Sequence, residues 1–162
     1  MKRYIGTKLI NAKPMTRQAY NDFRGWTLPA DENGADEGYL VEYVDGGKGN
    51  TDHYAGYVSW SPADVFDRAY RPCEGMTFGQ AIEAMKAGQK VARAGWNGKV
   101  MFVYYVPANS YPVQTGAAKS HFGEGAMVPY NAYMAIKNVN ETVSTWVPSV
   151  NDVLSEDWSI VE

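Results

Sequence analysis

The stretch from Lys99 to Val106 constrains this chain more than any other, because it alternates as a β-strand does and yet is apolar on both faces. Met101, Val103 and Tyr105 fall on one side, and Val100, Phe102, Tyr104 and Val106 on the other. Successive strand side chains point to opposite faces. This strand therefore has no solvent face, and its sheet needs cover on both sides. A single helix covers only one face of a small sheet. The sequence thus predicts that the second face is covered by another copy of the chain, by the N-terminal part, or by both.

The elements around that strand are legible. Thr77 caps a helix and Gln80 reaches back to complete a capping box, with Phe78, Ala81, Ile82 and Met85 as the buried stripe and Gly88 as the stop. Lys90 to Arg93 reads as a short strand. Strand character returns at Tyr130 to Lys137 and at Thr142 to Val147, and Pro148-Ser149 opens a helical turn through Asp152, Val153 and Leu154. Residues Pro107 to Val128 show no period and read as one long loop, of the kind that is usually functional in a compact domain. The fold class expected is α+β: a small antiparallel sheet packed by one main helix, with an additional small N-terminal α+β subdomain.

The boundary falls at Arg71-Pro72-Cys73-Glu74-Gly75, where a helical pattern ends at proline and a new helix start follows. This gives subdomains 1–72 and 73–162. The first reads as a strand near Lys8 to Ala12, a helix after Thr16, strands at Gly38 to Tyr43 and Gly56 to Trp60, and a helix begun by Ser61-Pro62, with Val65, Phe66 and Ala69 buried. Its ending, Trp60-Ser61-Pro62, echoes Trp146-Val147-Pro148, a short match for which chance or a shared strand-to-helix solution is favoured over duplication.

Composition narrows the function. Net charge is −3, with 9 basic against 10 acidic residues up to Pro72 and 6 against 8 after it. Neither half has the basic footprint of a duplex-binding protein. The single cysteine, Cys73, excludes an internal disulfide framework and a cysteine-rich zinc site, so no metal is expected and a reducing cytoplasm is. No apolar run has the length of a membrane span. The unusual quantity is 12 Tyr, 5 Trp and 5 Phe, rings that pack cores but also stack on flat ligands.

No Walker loop, dinucleotide fingerprint or HExxH is present, and no catalytic residue or cofactor is assigned. His121 and Glu124 are the one pair that suggests acid–base chemistry, as base and orienter, and the sequence favours a solvated loop pair over that reading. The turn Gly95-Trp96-Asn97-Gly98, flanked by Arg93 and Lys99, holds a guanidinium to pair with phosphate, an indole to stack on a base and an amide to bond a base edge. Two roles stay open for Trp96 and Trp146, a ligand platform or a seal on the core. Two are open for Asp152 as well, accepting from a ligand hydroxyl or satisfying amides at the start of the last helix.

Three ordered blocks, Thr77-Phe78-Gly79-Gln80-Ala81-Ile82, Lys90-Val91-Ala92-Arg93-Ala94-Gly95-Trp96-Asn97-Gly98, and Trp146-Val147-Pro148-Ser149 with Asp152 and Asp157-Trp158, resemble a phage-encoded family of Thoeris anti-defence proteins, the second described type. The resemblance covers residues 75–162. It implies a non-enzymatic sponge, acting in the host bacterial cytoplasm, that sequesters a cyclic ADP-ribose isomer without destroying it. It implies homo-oligomers, tetramers with ligand sites between subunits, and relatives that also hold cyclic oligonucleotides. The ligand-binding residues it suggests here are Arg93, Gly95, Trp96, Asn97, Lys99, Trp146, Ser149 and Asp152. Residues 1–72 resemble leader segments of other phage proteins and carry no assigned role. The alternative is a structural or host-takeover protein that binds other proteins through an aromatic surface.

Overall fold

A computed structural model describes residues 1–96 and 100–162. The chain divides into two compact units, Met1–Arg71 and Pro72–Glu162.

In the first unit, β1 (Ile10–Pro14), β2 (Gly38–Tyr43) and β3 (Tyr57–Pro62) form an antiparallel sheet in that order. Helix α1 (Arg17–Arg24) starts at Thr16, whose hydroxyl accepts from the Ala19 amide at 3.2 Å, and ends at Gly25 in the left-handed region. Tyr20 of α1 meets Leu40 and Val58 in the core, with Trp60 packed beside them. Gly38 has a steric reason to be glycine, because an added Cβ would sit 2.4 Å from the Trp60 ring and 2.5 Å from the Ser61 carbonyl. Asn50 closes the outer edge of β3, its amide donating to the Val58 carbonyl and accepting from the Val58 amide, both at 2.8 Å. That blunts one edge against pairing with another chain.

Helix α2 (Ala63–Ala69) departs from the sequence reading. Strand β3 runs on to Pro62, which becomes the N-cap and makes no side-chain cap bond. Ser61 is thus a strand residue, not a cap. The expected stripe is mostly in solvent: Val65 and Ala69 are exposed, and only Phe66 is anchored, stacked on Tyr39 at 4.0 Å.

The second unit contains α3 (Phe78–Lys86), β4 (Lys90–Arg93), β5 (Phe102–Val106), β6 (Asn109–Pro112), α4 (Gly116–Phe122), β7 (Met127–Tyr130), β8 (Tyr133–Lys137), β9 (Val143–Trp146), α5 (Val150–Leu154) and β10 (Trp158–Val161). Five strands form an antiparallel sheet ordered β10-β4-β5-β8-β9. Thr77 and Gln80 make the capping box on α3, and Gly88 follows at φ 92°. Phe78, Ala81 and Met85 of α3 meet Val91, Val103 and Trp158 in the core. At about 1.5–3 kcal/mol for each large side chain fully buried, this face holds the unit together. The chain is α+β as its sequence implies.

The register places Phe102 and Tyr104 on the opposite face with Lys137 and Ala135. There the Phe102 and Tyr104 rings lie 6.0 Å apart, and Tyr133 and Val143 stay exposed. Two sequence expectations need correction. Residues 107–128 are not one loop but a two-stranded arm, β6 paired with β7, carrying α4 between them. Its strands are four residues long and contain Pro112 and Pro129, so no alternation could show; proline is tolerated because each strand keeps a free edge. The strand β10 was also missed, since four residues beside the chain end give little periodicity. The Trp60 and Trp146 echo ends two edge strands, in sheets of three and five strands. The likeness is confined to a strand leading into a short helix.

Candidate functional site

Strand pairing sets the site. Arg93, last residue of β4, lies opposite Trp158, first residue of β10, so Asp157 comes beside the start of the Ala94-Gly95-Trp96 turn. The Ala94 amide donates to the Asp157 carbonyl and the Trp96 amide to the Arg93 carbonyl, both at 3.1 Å. The Arg93 guanidinium forks onto Asp157, Nε to Oδ1 at 2.8 Å and Nη2 to Oδ2 at 3.3 Å, while Nη1 donates to Asp152 Oδ1 at 2.9 Å. Asp157 Oδ2 also accepts from the Gly95 amide at 3.1 Å.

Asp152 belongs equally to α5. Its Oδ2 accepts from the Ser149 amide at 2.9 Å and hydroxyl at 2.7 Å, and the Ser149 hydroxyl accepts from the Asp152 amide at 3.2 Å. This capping box satisfies amides that the first helical turn would otherwise leave open. The Asp152 carbonyl accepts from the Trp158 indole at 3.0 Å. The structural role foreseen for Asp152 is therefore filled, and by the same carboxylate that faces Arg93.

Electrostatics follow the contacts. The hydrogen bond from Arg93 is the main cause that holds the Asp157 carboxyl below its ordinary value; burial opposes it, and the Gly95 amide adds to it. For Asp152 burial is the largest influence and pushes upward, but hydrogen bonds from Ser149, Arg93 and Trp96 together bring the group below the ordinary value. Arg93 is raised, first by Asp157 and then by Asp152. One guanidinium against two carboxylates leaves a formal charge of about −1 on the cluster.

The rings form a second layer. Trp96 meets Trp146 edge to face at 5.9 Å and Trp158 at 5.3 Å, and Phe78 packs on Trp158 at 5.4 Å. Trp158 is fully buried, whereas Trp96 and Trp146 are half-buried. Both rings thus seal the core, as one of the two readings had it, and both keep a part toward solvent.

Of the residues singled out from sequence, the structure brings together Arg93, Gly95, Trp96, Trp146, Ser149 and Asp152; Asn97 and Lys99 lie outside the described residues. Space does not require glycine at 95, since a Cβ there would stand 3.4 Å from Asp157 Oδ2. The residue that sequence reasoning left without a role is Asp157. Its signal was present in the Asp157-Trp158 motif, but a carboxylate just before a strand acquires meaning only when pairing sets it beside Arg93. His121 and Glu124 do not form a pair: Glu124 accepts from Lys119 at 3.0 Å, and His121 stands edge-on to Phe122. An open cleft of about 360 Å³ lies elsewhere, bordered by Met85, Gln89, Lys90, Phe102, Tyr104 and Lys137. Among the described residues, none of the candidate ligand-binding residues borders it, and Lys137 is already bonded to the Val100 carbonyl and Glu141. Among the described residues there is no group of three or more side chains arranged for a metal, and no helix long and apolar enough to cross a membrane.

The Tad2-like family, Thoeris anti-defense 2-like domain, matches residues 76–161, which takes in the whole of this cluster. The chain belongs to the Tad2-like family. It is also 40% identical over 87 residues to Thoeris anti-defense 2 of Bacillus phage SP01, a match that covers 53% of this chain and 94% of that protein. The Tad2-like assignment supports a phage anti-Thoeris function and is named for anti-defence, not for an enzyme class. The family match lies within the second unit, and residues 1–71 lie outside it.

Proposed function

We propose that the second unit binds and sequesters a cyclic ADP-ribose isomer of the glycocyclic type in the host cytoplasm, without degrading it, and so suppresses Thoeris immunity. The observation that carries this reading is that the Tad2-like match spans an intact ring-and-carboxylate cluster, from Arg93 to Trp158, with two half-buried indoles at its edge. Base stacking on such a ring contributes about 1–3 kcal/mol per base. The Asp152 carboxylate and the Ser149 hydroxyl suit ribose hydroxyls, while, proposed on sequence alone, Lys99 takes phosphate and Asn97 bonds a base edge. Binding without turnover is supported by the disposition of His121 and Glu124, which face other partners.

We place the site at a boundary between copies of the chain, in a tetramer. Val147, Val150 and Leu154 are 84%, 73% and 76% exposed beside Ser149 and Asp152, an apolar patch of the kind that marks association. Cyclic oligonucleotides are candidate second ligands. Calorimetry of the full chain with glycocyclic ADP-ribose tests the reading: saturable binding is expected, and the absence of heat with every cyclic ADP-ribose isomer and every cyclic di- and trinucleotide overturns it.

A second reading, a protein-binding module, is favoured by the arm, where Tyr111, Phe122, Met127 and Tyr130 are exposed. It requires that Trp96 serve packing alone, so that Trp96→Ala lowers stability while no nucleotide binds the parent protein.

A further inference from the structure

We infer that Asp157 is the positioning residue of this site, and that Arg93, which it holds, is a strut for the turn and not the cation that meets ligand phosphate. The inference rests on the nucleotide-binding role proposed above.

Three nitrogens of the Arg93 guanidinium already donate to carboxylates, and its side chain is only 17% exposed. Turning it toward a phosphate would strand Asp152 and Asp157, and a charge left unpaired in a partly buried setting costs far more than the pair gains. The cluster as a whole is anionic, so its field does not draw phosphate in. An arginine used for phosphate capture instead keeps its fork open to the ligand.

Asp157 touches the turn at successive points. Its carboxylate takes the Arg93 guanidinium and the Gly95 amide, and its carbonyl takes the Ala94 amide. The Trp96 amide then returns to the Arg93 carbonyl. Residues 93, 94 and 95 are each bonded to Asp157, and the backbone at Trp96 is set by the residue so held. A platform ring is useful only when held to within about 0.5 Å by a supporting shell. Asp157 supplies the backbone part of that shell from the position just before β10.

The sign of the charge effect separates this role from a simple electrostatic one. Asp157→Asn removes a negative charge beside an anionic ligand while keeping the side-chain shape. If Asp157 acts only through its field, glycocyclic ADP-ribose binds Asp157→Asn more tightly. If it positions the turn, binding weakens at least about tenfold, through dissociation accelerated by more than the lost charge gains in the association rate, where steering by charge appears. Arg93→Lys keeps the charge and loses the fork, and is expected to weaken binding comparably; near-parental affinity for Arg93→Lys contradicts the strut.

The experiment measures association and dissociation rates for both variants of the full chain, with amide exchange followed by NMR without ligand. Expected without ligand is faster exchange at Ala94, Gly95 and Trp96 in Asp157→Asn, while Val91 and Val103 stay protected and so report an intact core. Unchanged exchange at the turn, or unchanged or tighter binding, overturns the inference. If the parent protein binds no glycocyclic ADP-ribose, the proposed function falls by itself, and turn exchange decides the positioning role alone.

Discussion

The Arg93 guanidinium joins Asp157 to Asp152, at 2.8 and 2.9 Å, and so ties the end of β4 to the residue before β10 and to the first turn of α5. Removing it leaves two carboxylates facing each other in a partly buried setting. Arg93→Ala is therefore expected to destabilise the second unit by about 2 kcal/mol, less than the 3–5 kcal/mol typical of a fully buried pair because Asp157 retains access to water. A urea midpoint indistinguishable from that of the parent protein would show that the network holds nothing.

Acid should loosen the same network. Asp152 and Asp157 both titrate below their ordinary value of 3.8, so in acid the folded state binds fewer protons than the unfolded chain, and stability rises with pH there. Their contribution is fully present above the unfolded value, from about pH 5 upward, and is lost as pH falls through the depressed folded values. Urea unfolding at pH 7, 4 and 3 should show the loss concentrated below about pH 4, and Asp157→Asn should fall less steeply over that interval. Equal slopes for the two proteins would remove Asp157 from the account.

The start of α3 offers a local test. Thr77 accepts from the Gln80 amide while the Gln80 side chain accepts from the Thr77 amide at 3.0 Å. Thr77→Ala should cost about 1 kcal/mol by thermal or urea unfolding, with Phe78, Ala81 and Met85 still packed as judged by near-ultraviolet circular dichroism.

Much of this unit was legible because its strongest signals are local. The capping box, the Phe78-Ala81-Met85 stripe and the Lys90 to Arg93 strand depend on spacings of a few residues, and all three appear where the sequence puts them. The two-sided apolar strand is present as Phe102 to Val106, with Val103 wholly buried toward α3. The paired arm at 109–130 was hidden by prolines that break alternation, and α2 was misjudged because Pro62 closes a strand before it opens a helix. For the site, the sequence named Arg93 and Asp152 but gave no reason to join them. They are 59 residues apart, and only the pairing of β4 with β10 reveals that the guanidinium is engaged.

The second unit should stand alone. It has its own core, and the SP01 relative is matched over 94% of its length by 87 residues of this chain. A fragment of residues 72–162 is expected to give the same amide spectrum for Val91, Val103 and Trp158 as the full chain, and the same ligand affinity within about twofold, since distant and independent parts contribute additively. A fragment that folds but binds at least tenfold more weakly would assign residues 1–71 a part in the site.

The most direct test of sequestration is recovery of the ligand. The full chain is incubated with glycocyclic ADP-ribose, freed of unbound ligand, denatured by heat, and the supernatant analysed by mass spectrometry. The account predicts that intact glycocyclic ADP-ribose is released in proportion to the protein loaded. Recovery of linear ADP-ribose or other breakdown products, produced by the protein and not by heating alone, would contradict it and make the protein an enzyme.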